Sequence, residues 1–266
     1  MVDVSQKRNF FRCETCPQNE KMEVLMDNWQ NRTEMLIGKD KVKIINNVNI
    51  VVFGLGGVGS YVVEGLVRAG VKNIAIVDKD VVDATNINRQ LIADTTTVGT
   101  PKVDATANRI GKISPGANVV SIKEFVNDDN IESIMSEIMA QFCGNSTSAS
   151  SKIDYVIDAI DTVSSKLAII EYCYTQNIKL ISCMGTGNKL DASKFEITDI
   201  TKTSVCPLAK VIRKELKNRG IPHLKVLYSK EVPIKTEGTS PASISFVPSV
   251  AGLLIAGEVV RELLCL

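Results

Sequence analysis

The sequence predicts an α/β fold: a Rossmann-like, doubly wound, mostly parallel sheet with a C-terminal α+β extension. Three observations point to it. Residues 49–53 form a short apolar strand followed at once by a glycine-rich turn, and residues 60–69 have helical spacing closed by Gly70. Residues 73–77 read as the next buried strand, so strand, helix and strand fill roughly thirty residues, the size of a parallel crossover unit. With 266 residues, 44% of them hydrophobic, the chain is long enough to bury a full core.

Taken in order, residues 1–27 are polar and predict a weakly ordered extension, and 28–266 predict one α/β domain. Within it, 48–187 is the nucleotide-binding part, 188–246 a basic substrate-binding part and 247–266 a C-terminal packing helix. Helical periodicity begins near Trp29 and runs through Met35, Leu36, Val42 and Ile45. Beyond the first crossover, the pattern predicts helices over 102–113, 131–142 and 164–176, and strands over 119–125, 155–160 and 179–183. The small-residue run 144–151 predicts a surface loop. After Gly187 the simple alternation fails, leaving a Pro-started helix over 208–219, a strand over 225–228 and an apolar helix after Pro248.

The formal net charge is +1, so the molecule as a whole is not a polycation. The apolar stretch from Val247 to Leu264 is interrupted by Pro248, Glu258, Arg261 and Glu262, which predicts a buried helix and no membrane span. Residues 1–20 lack the apolar core of a signal peptide. Seven dispersed cysteines fit a reducing, cytoplasmic setting better than a disulfide scaffold.

The turn Gly54-Leu55-Gly56-Gly57-Val58-Gly59 lies between the first strand and its helix. Glycines there let the backbone approach a phosphate, and the helix N-terminus offers free N–H groups and a positive dipole end. Asp78 ends the second strand, where a carboxylate bonds ribose hydroxyls. This much means a nucleotide, of which NAD is the commonest. The residues that follow separate the readings: Asp80, then Asn86-Ile87-Asn88-Arg89-Gln90, then Lys102, then Asp161 at a strand's C-terminal end. A nicotinamide site has no obvious need of two further cations and a second terminal carboxylate. A triphosphate does: Arg89 and Lys102 neutralise phosphate oxygens and Asp161 holds Mg²⁺. ATP and Mg²⁺ are the expected cofactors.

This succession of motifs resembles the ubiquitin-activating-type adenylyltransferases, which include the bacterial enzymes that activate molybdopterin and thiamine sulfur carriers. The resemblance implies adenine-nucleotide contacts from Gly57 and Asp78, and phosphate contacts from Asn86, Arg89 and Lys102. It also implies magnesium and phosphate chemistry at Asp161. Arg32 matches an N-terminal arginine that in this family reaches the partner subunit's site, which implies a homodimer; a solvated helix residue is the plainer alternative. Arg32, Arg89, Lys102 and Asp161 are thus the expected catalytic residues, acting on a carboxylate that is already ionised at neutral pH (pKa near ~4) and needs no general base.

Four further segments, Gly185-Thr186-Gly187-Asn188-Lys189-Leu190-Asp191, Ile197-Thr198-Asp199-Ile200, Pro207-Leu208-Ala209 and Ser243-Ile244-Ser245-Phe246, resemble one subgroup, the tRNA threonylcarbamoyladenosine dehydratases. With them the resemblance spans nearly the whole chain from about residue 29. It implies ATP-dependent cyclisation of the threonylcarbamoyl side chain of a modified tRNA adenosine. Charge supports a nucleic-acid substrate separately. Between Thr201 and Lys230 lie Lys202, Lys210, Arg213, Lys214, Lys217, Arg219, Lys225 and Lys230 against Glu215 alone, +7 in a chain whose remainder is therefore −6. A solvated helix face is the bland alternative.

Cys13 and Cys16 are the only Cys-x-x-Cys pair, so a four-cysteine zinc site is unsupported. Cys206, before Pro207, is the one candidate for a covalent acyl intermediate, although ring closure does not require one. The competing readings are an activator of a ubiquitin-like or sulfur-carrier protein, an NAD-dependent oxidoreductase, and a non-catalytic tRNA-binding module. The sequence leaves open whether sulfur-relay partner proteins assist.

Overall fold

The protein is seen here as a computed structural model that describes residues 29–144, 152–237 and 241–266. The N-terminal extension with its Cys13/Cys16 pair, and most of the expected loop over 144–151, lie outside the described residues. Seven strands form one sheet in the order β3-β2-β1-β4-β5-β7-β6. They are β1 (Asn49–Phe53), β2 (Asn73–Val77), β3 (Asn118–Ile122), β4 (Tyr155–Asp158), β5 (Leu180–Cys183), β6 (Phe195–Asp199) and β7 (Lys225–Ser229). All neighbours pair in parallel except β6, which runs antiparallel to β7 at the edge. The order reverses beside β1, between β2 and β4, which opens a crevice at the strands' C-terminal ends.

The helices are α1 (Asn31–Ile37), α2 (Lys39–Asn47), α3 (Gly59–Ala69), α4 (Lys102–Ile113), α5 (Ile131–Gly144), α6 (Val163–Thr175), α7 (Pro207–Asn218) and α8 (Phe246–Leu264). The strands' period of two divides the core. Ile50, Val52, Ile74, Ile76, Tyr155 and Ile157 pack in one cluster with side chains of α3, α4 and α8. The alternate residues Val51, Phe53, Ala75, Val77 and Val156 pack in a second with those of α5 and α6. A third cluster joins α6, α7 and β7 through Ile170, Ile212, Leu216 and Val226. Buried on both faces, these strands read as continuous apolar runs, as the sequence shows.

The expected boundaries hold to within a few residues, with three differences. The helical pattern from Trp29 is two helices, because Gly38 at φ +87° breaks it. On α1 no residue is buried, and Met35 and Leu36 are 77% and 84% exposed. Strands β3 and β4 stop early, at Ile122 and Asp158, releasing the following residues into the crevice. Strand β6 lies unannounced within the segment where the alternation fails. Among the described residues no helix is long and apolar enough to cross a membrane.

Candidate nucleotide and substrate site

The crevice holds a cavity of about 850 Å³ reached by Gly54, Gly56, Gly57, Asp78, Asp80, Asn86, Arg89, Gln90, Lys102 and Asp161. The structure therefore assembles in one place residues separated by more than a hundred positions. Its volume lies within the usual ~300–1,000 Å³ of small-molecule sites.

The glycines divide by task. Gly54 takes φ +87°, and a Cβ there would stand 2.8 Å from Ala159 O. A Cβ on Gly59 would lie 1.8 Å from Gly54 O, so this glycine closes α3 against its own strand and does not reach the cavity. Whatever its N–H meets, Gly59 is required for packing, because no side chain fits between it and Gly54. Gly56 and Gly57 do line the cavity, and Gly57 is flanked by Pro248 of α8 and by the Arg89 stem.

Asp78 ties this turn to the next. Its Oδ2 accepts from Leu55 N (2.6 Å) and its Oδ1 from Asp80 N (2.8 Å). Burial raises its carboxyl above the ordinary aspartate range, opposed by the Lys102 charge and by both backbone donors. Lys102 begins α4 with its stem buried, and its Nζ lies 2.9 Å from Asp80 Oδ2. Asn86 is set by a single 3-10 turn whose capping box joins Asp83 and Asn86 reciprocally. Arg89 donates to Thr85 O (2.9 Å) and Asn88 Oδ1 (2.8 Å), both neutral acceptors, so its charge is unopposed by any carboxylate among the described residues. Gln90 is buried on the cavity wall, and its Oε1 has no hydrogen-bond partner.

Asp161 also lines the cavity with an exposed carboxylate, whose one hydrogen-bond partner among the described residues is the Thr162 hydroxyl at 3.5 Å. Among the described residues no three His, Cys, Asp or Glu side chains gather as a metal cluster. A single carboxylate beside a phosphate site suits Mg²⁺ carried in on a nucleotide, since that ion is usually held by one or two carboxylates plus phosphate oxygens.

Three of the four subgroup segments also line the cavity, through Gly185, Thr186 and Gly187, Leu208, and Ser243, with Pro241 beside the last; the segment 197–200 does not. Asn188, at φ +59°, ties them together: its Oδ1 accepts from Ala242 N (2.6 Å), its N–H donates to Ala242 O (2.8 Å), and its C=O accepts from Ile234 N (2.8 Å). Asn88 Nδ2 donates to Ser243 O (3.2 Å). Sequence reasoning did not assign Lys79, Phe125 or Pro248 to the site, although all three also line the cavity. Lys79 sits 4.8 Å from the Phe125 ring centroid, an arrangement no local pattern announces.

Two sets of expected residues are distributed differently. Arg32, exposed at the start of α1, is not part of its own chain's cavity. Of the eight cations, four are committed to partners within the chain. Arg213 donates to Ile200 O and Thr203 O; Arg219 pairs with Glu171 and Glu215. Lys225 bonds Glu258 (2.8 Å) and Glu262 (2.6 Å) of α8, and Lys230 pairs with Glu196. Lys202, Lys210, Lys214 and Lys217 remain exposed on α7 and the turn before it, with no acidic partner among the described residues. Cys206 is buried, 3% exposed, one atomic layer behind Gly185.

Fold and site define a Rossmann-like α/β protein whose cavity, at the strands' C-terminal ends, is lined by a glycine turn, acidic and basic side chains and parts of the segments after β5. The chain belongs to the ThiF family, whose profile matches residues 30–265. It is similar to the tRNA threonylcarbamoyladenosine dehydratase of Bacillus subtilis, 41% identical over 252 residues covering 88% of this chain and 94% of that one. The protein of the same description from Escherichia coli K12 is 37% identical over 198 residues, covering 73% of this chain and 69% of that one. The crystal structure of the E. coli tRNA N6-threonylcarbamoyladenosine dehydratase in complex with AMP superposes with a TM-score of 0.80 at 30% identity, covering 90% of this chain and 96% of that one. A complex of that protein with ATP gives 0.77.

Proposed function

We propose that this protein uses ATP to activate the carboxylate of threonylcarbamoyladenosine in tRNA and then cyclises it. The observation that carries the reading is that one cavity is lined both by Gly56, Gly57, Asp78, Arg89, Lys102 and Asp161 and by residues 185–187, Leu208 and Ser243 of the subgroup segments. The resemblance to dehydratases that bind ATP and AMP supports it.

Asp78 accepts ribose hydroxyls, while the α3 N-terminus and the Gly56–Gly57 backbone face the phosphates. The substrate carboxylate, already ionised, is held in line with the α-phosphorus by the subgroup segments. As its oxygen bonds to phosphorus and the bond to pyrophosphate breaks, Arg89 and Lys102 offset the charge collecting on the leaving group. Asp161 would hold Mg²⁺, which supplies further neutralisation of the triphosphate. A heteroatom of the same side chain then attacks the acyl carbon, expels AMP and closes the ring. The four free lysines of the α7 region provide contacts to the tRNA backbone.

The protein acts as a homodimer in which Arg32 completes the site of the partner. The exposed Met35 and Leu36 on α1, and Leu253 and Leu254 at 50% and 40% exposure on α8, support a second copy covering them. Its setting is the cytoplasm, where its tRNA substrate lies. Mass spectrometry of nucleosides from modified tRNA incubated with protein and ATP tests the reading. Cyclised product with stoichiometric AMP is expected; pyrophosphate exchange stimulated by a Gly-Gly-ending carrier protein and not by tRNA would replace it.

A further inference from the structure

Beneath the cavity lies a polar cluster that the steps above do not use. Asp158, at the end of β4, and Lys166, on α6, are both 0% exposed, and their charges meet at 2.8 Å. Ser182 of β5 donates to the same Asp158 oxygen (2.6 Å) and accepts from Lys166 Nζ (3.1 Å). The second Asp158 oxygen accepts the Ile160 N–H at 3.1 Å. A buried ion pair is an expensive feature of a core and, for stability alone, an apolar pair of similar volume serves as well.

What the cluster holds is the segment leading to Asp161. Among the described residues the Asp161 carboxylate has only the long Thr162 hydroxyl contact of its own, so its direction is set by the backbone that carries it. That backbone is anchored at Ala159, whose N–H donates to Phe53 O (2.8 Å), and at Ile160 through Asp158. The same segment packs against the phosphate turn, since a Cβ on Gly54 would fall 2.8 Å from Ala159 O and 3.0 Å from Ile160 N. Asp158 is thus the joint between the nucleotide turn and the segment that carries Asp161, and Lys166 with Ser182 keeps that joint in one orientation.

We propose that Lys166, through Asp158, is the positioning residue that aims the Asp161 carboxylate at the nucleotide-borne cation. The proposal rests on the assignment of Asp161 to Mg²⁺. Removing partners that orient a metal ligand typically costs about 10–100-fold in metal affinity. Calorimetric titration of the full chain with ATP, with and without MgCl₂, reads this as the ratio of the two affinities. In Lys166→Met that ratio is expected to fall about 10-fold or more from the wild-type value, while the affinity for metal-free ATP stays within about threefold. Lys166→Arg recovers part of the ratio. Asp161→Asn, which deletes the ligand itself, brings it to about one. Ser182→Ala removes a single hydrogen bond from Asp158 and serves if Lys166→Met does not fold; a smaller fall of the same kind is expected. A wild-type ratio in Lys166→Met, or in Ser182→Ala where that variant must decide, with loss in Asp161→Asn, overturns the proposal and leaves the metal assignment standing. A ratio unchanged in Asp161→Asn, or absent from the wild type, overturns that assignment and the proposal together.

Discussion

Replacing Lys102 by methionine separates the catalytic part of this site from its structural part. The Lys102 side chain is 7% exposed, and its ammonium faces Asp80, which is 49% exposed. Methionine keeps most of the buried stem, and an Asp80 carboxylate released at that exposure rehydrates. The stability cost is therefore that of a partly screened ion pair, about 1 kcal/mol or less, equivalent to roughly 2–4 °C in Tm for a chain of this size. The charge it would present to the leaving pyrophosphate is worth more, because preorganised donors to developing charge contribute about 2.7–4 kcal/mol, or ~10²–10³ in kcat. AMP formation in single turnovers with modified tRNA, beside a thermal melt, measures both quantities. Turnover within about threefold of wild type would refute the phosphate role of Lys102. A fall in Tm of more than about 10 °C would show that the loss is one of folding.

Gly252→Ala should push α8 off the turn it covers, since the new Cβ would meet Val58 O at 2.5 Å and Tyr61 Cβ at 2.8 Å, neither of which can rotate away. Such overpacking costs about 1–3 kcal/mol, read as a lower Tm, and a Tm equal to wild type would contradict it. ATP affinity should decline on acidification at a pH above the ordinary aspartate range, because the Asp78 carboxyl is raised by burial. With the folded pKa above the unfolded one, Asp78 itself favours the fold increasingly as pH falls, so the loss belongs to ligand binding. Fluorescent-nucleotide titrations should lose this limb in Asp78→Asn. Substituting Lys210, Lys214 and Lys217 by alanine should lower the slope of log affinity for tRNA against log salt by about 0.7–0.9 for each phosphate no longer neutralised; an unchanged slope places the tRNA elsewhere. If Arg32 acts across a symmetric dimer, mixing Arg32→Ala with Lys102→Ala chains should restore about one quarter of wild-type turnover through one intact site per heterodimer. Two inactive parents giving an inactive mixture would place Arg32 in its own chain or outside catalysis.

Much of the nucleotide half is legible because its signals are local. β1, the glycine turn, α3 and β2 follow one another without interruption, and each carries its own periodicity or punctuation. Strand β6 is not legible for the opposite reason. The run Phe195–Asp199 is only half-buried, and what makes it a strand is pairing with β7, from Phe195 against Ser229 to Asp199 against Lys225. The basic segment illustrates a related limit. Counting charges between residues 201 and 230 reveals their sign, but the acids that neutralise Lys225 lie 33 and 37 positions further on. Asp158 and Lys166 are hidden in the same way, as the end of a strand and one position in a helix.

Sequence alone thus determined the element types, the parallel crossover, and most of the groups that line the cavity, because periodicity, glycine placement and charge are properties of neighbouring residues. The tertiary structure alone decided which glycines line the cavity, which cations are free, and which buried pair underlies the segment that carries Asp161. Those outcomes depend on distances between residues far apart in the chain, and hydrophobic burial sets such distances only when the whole sheet has closed over its core.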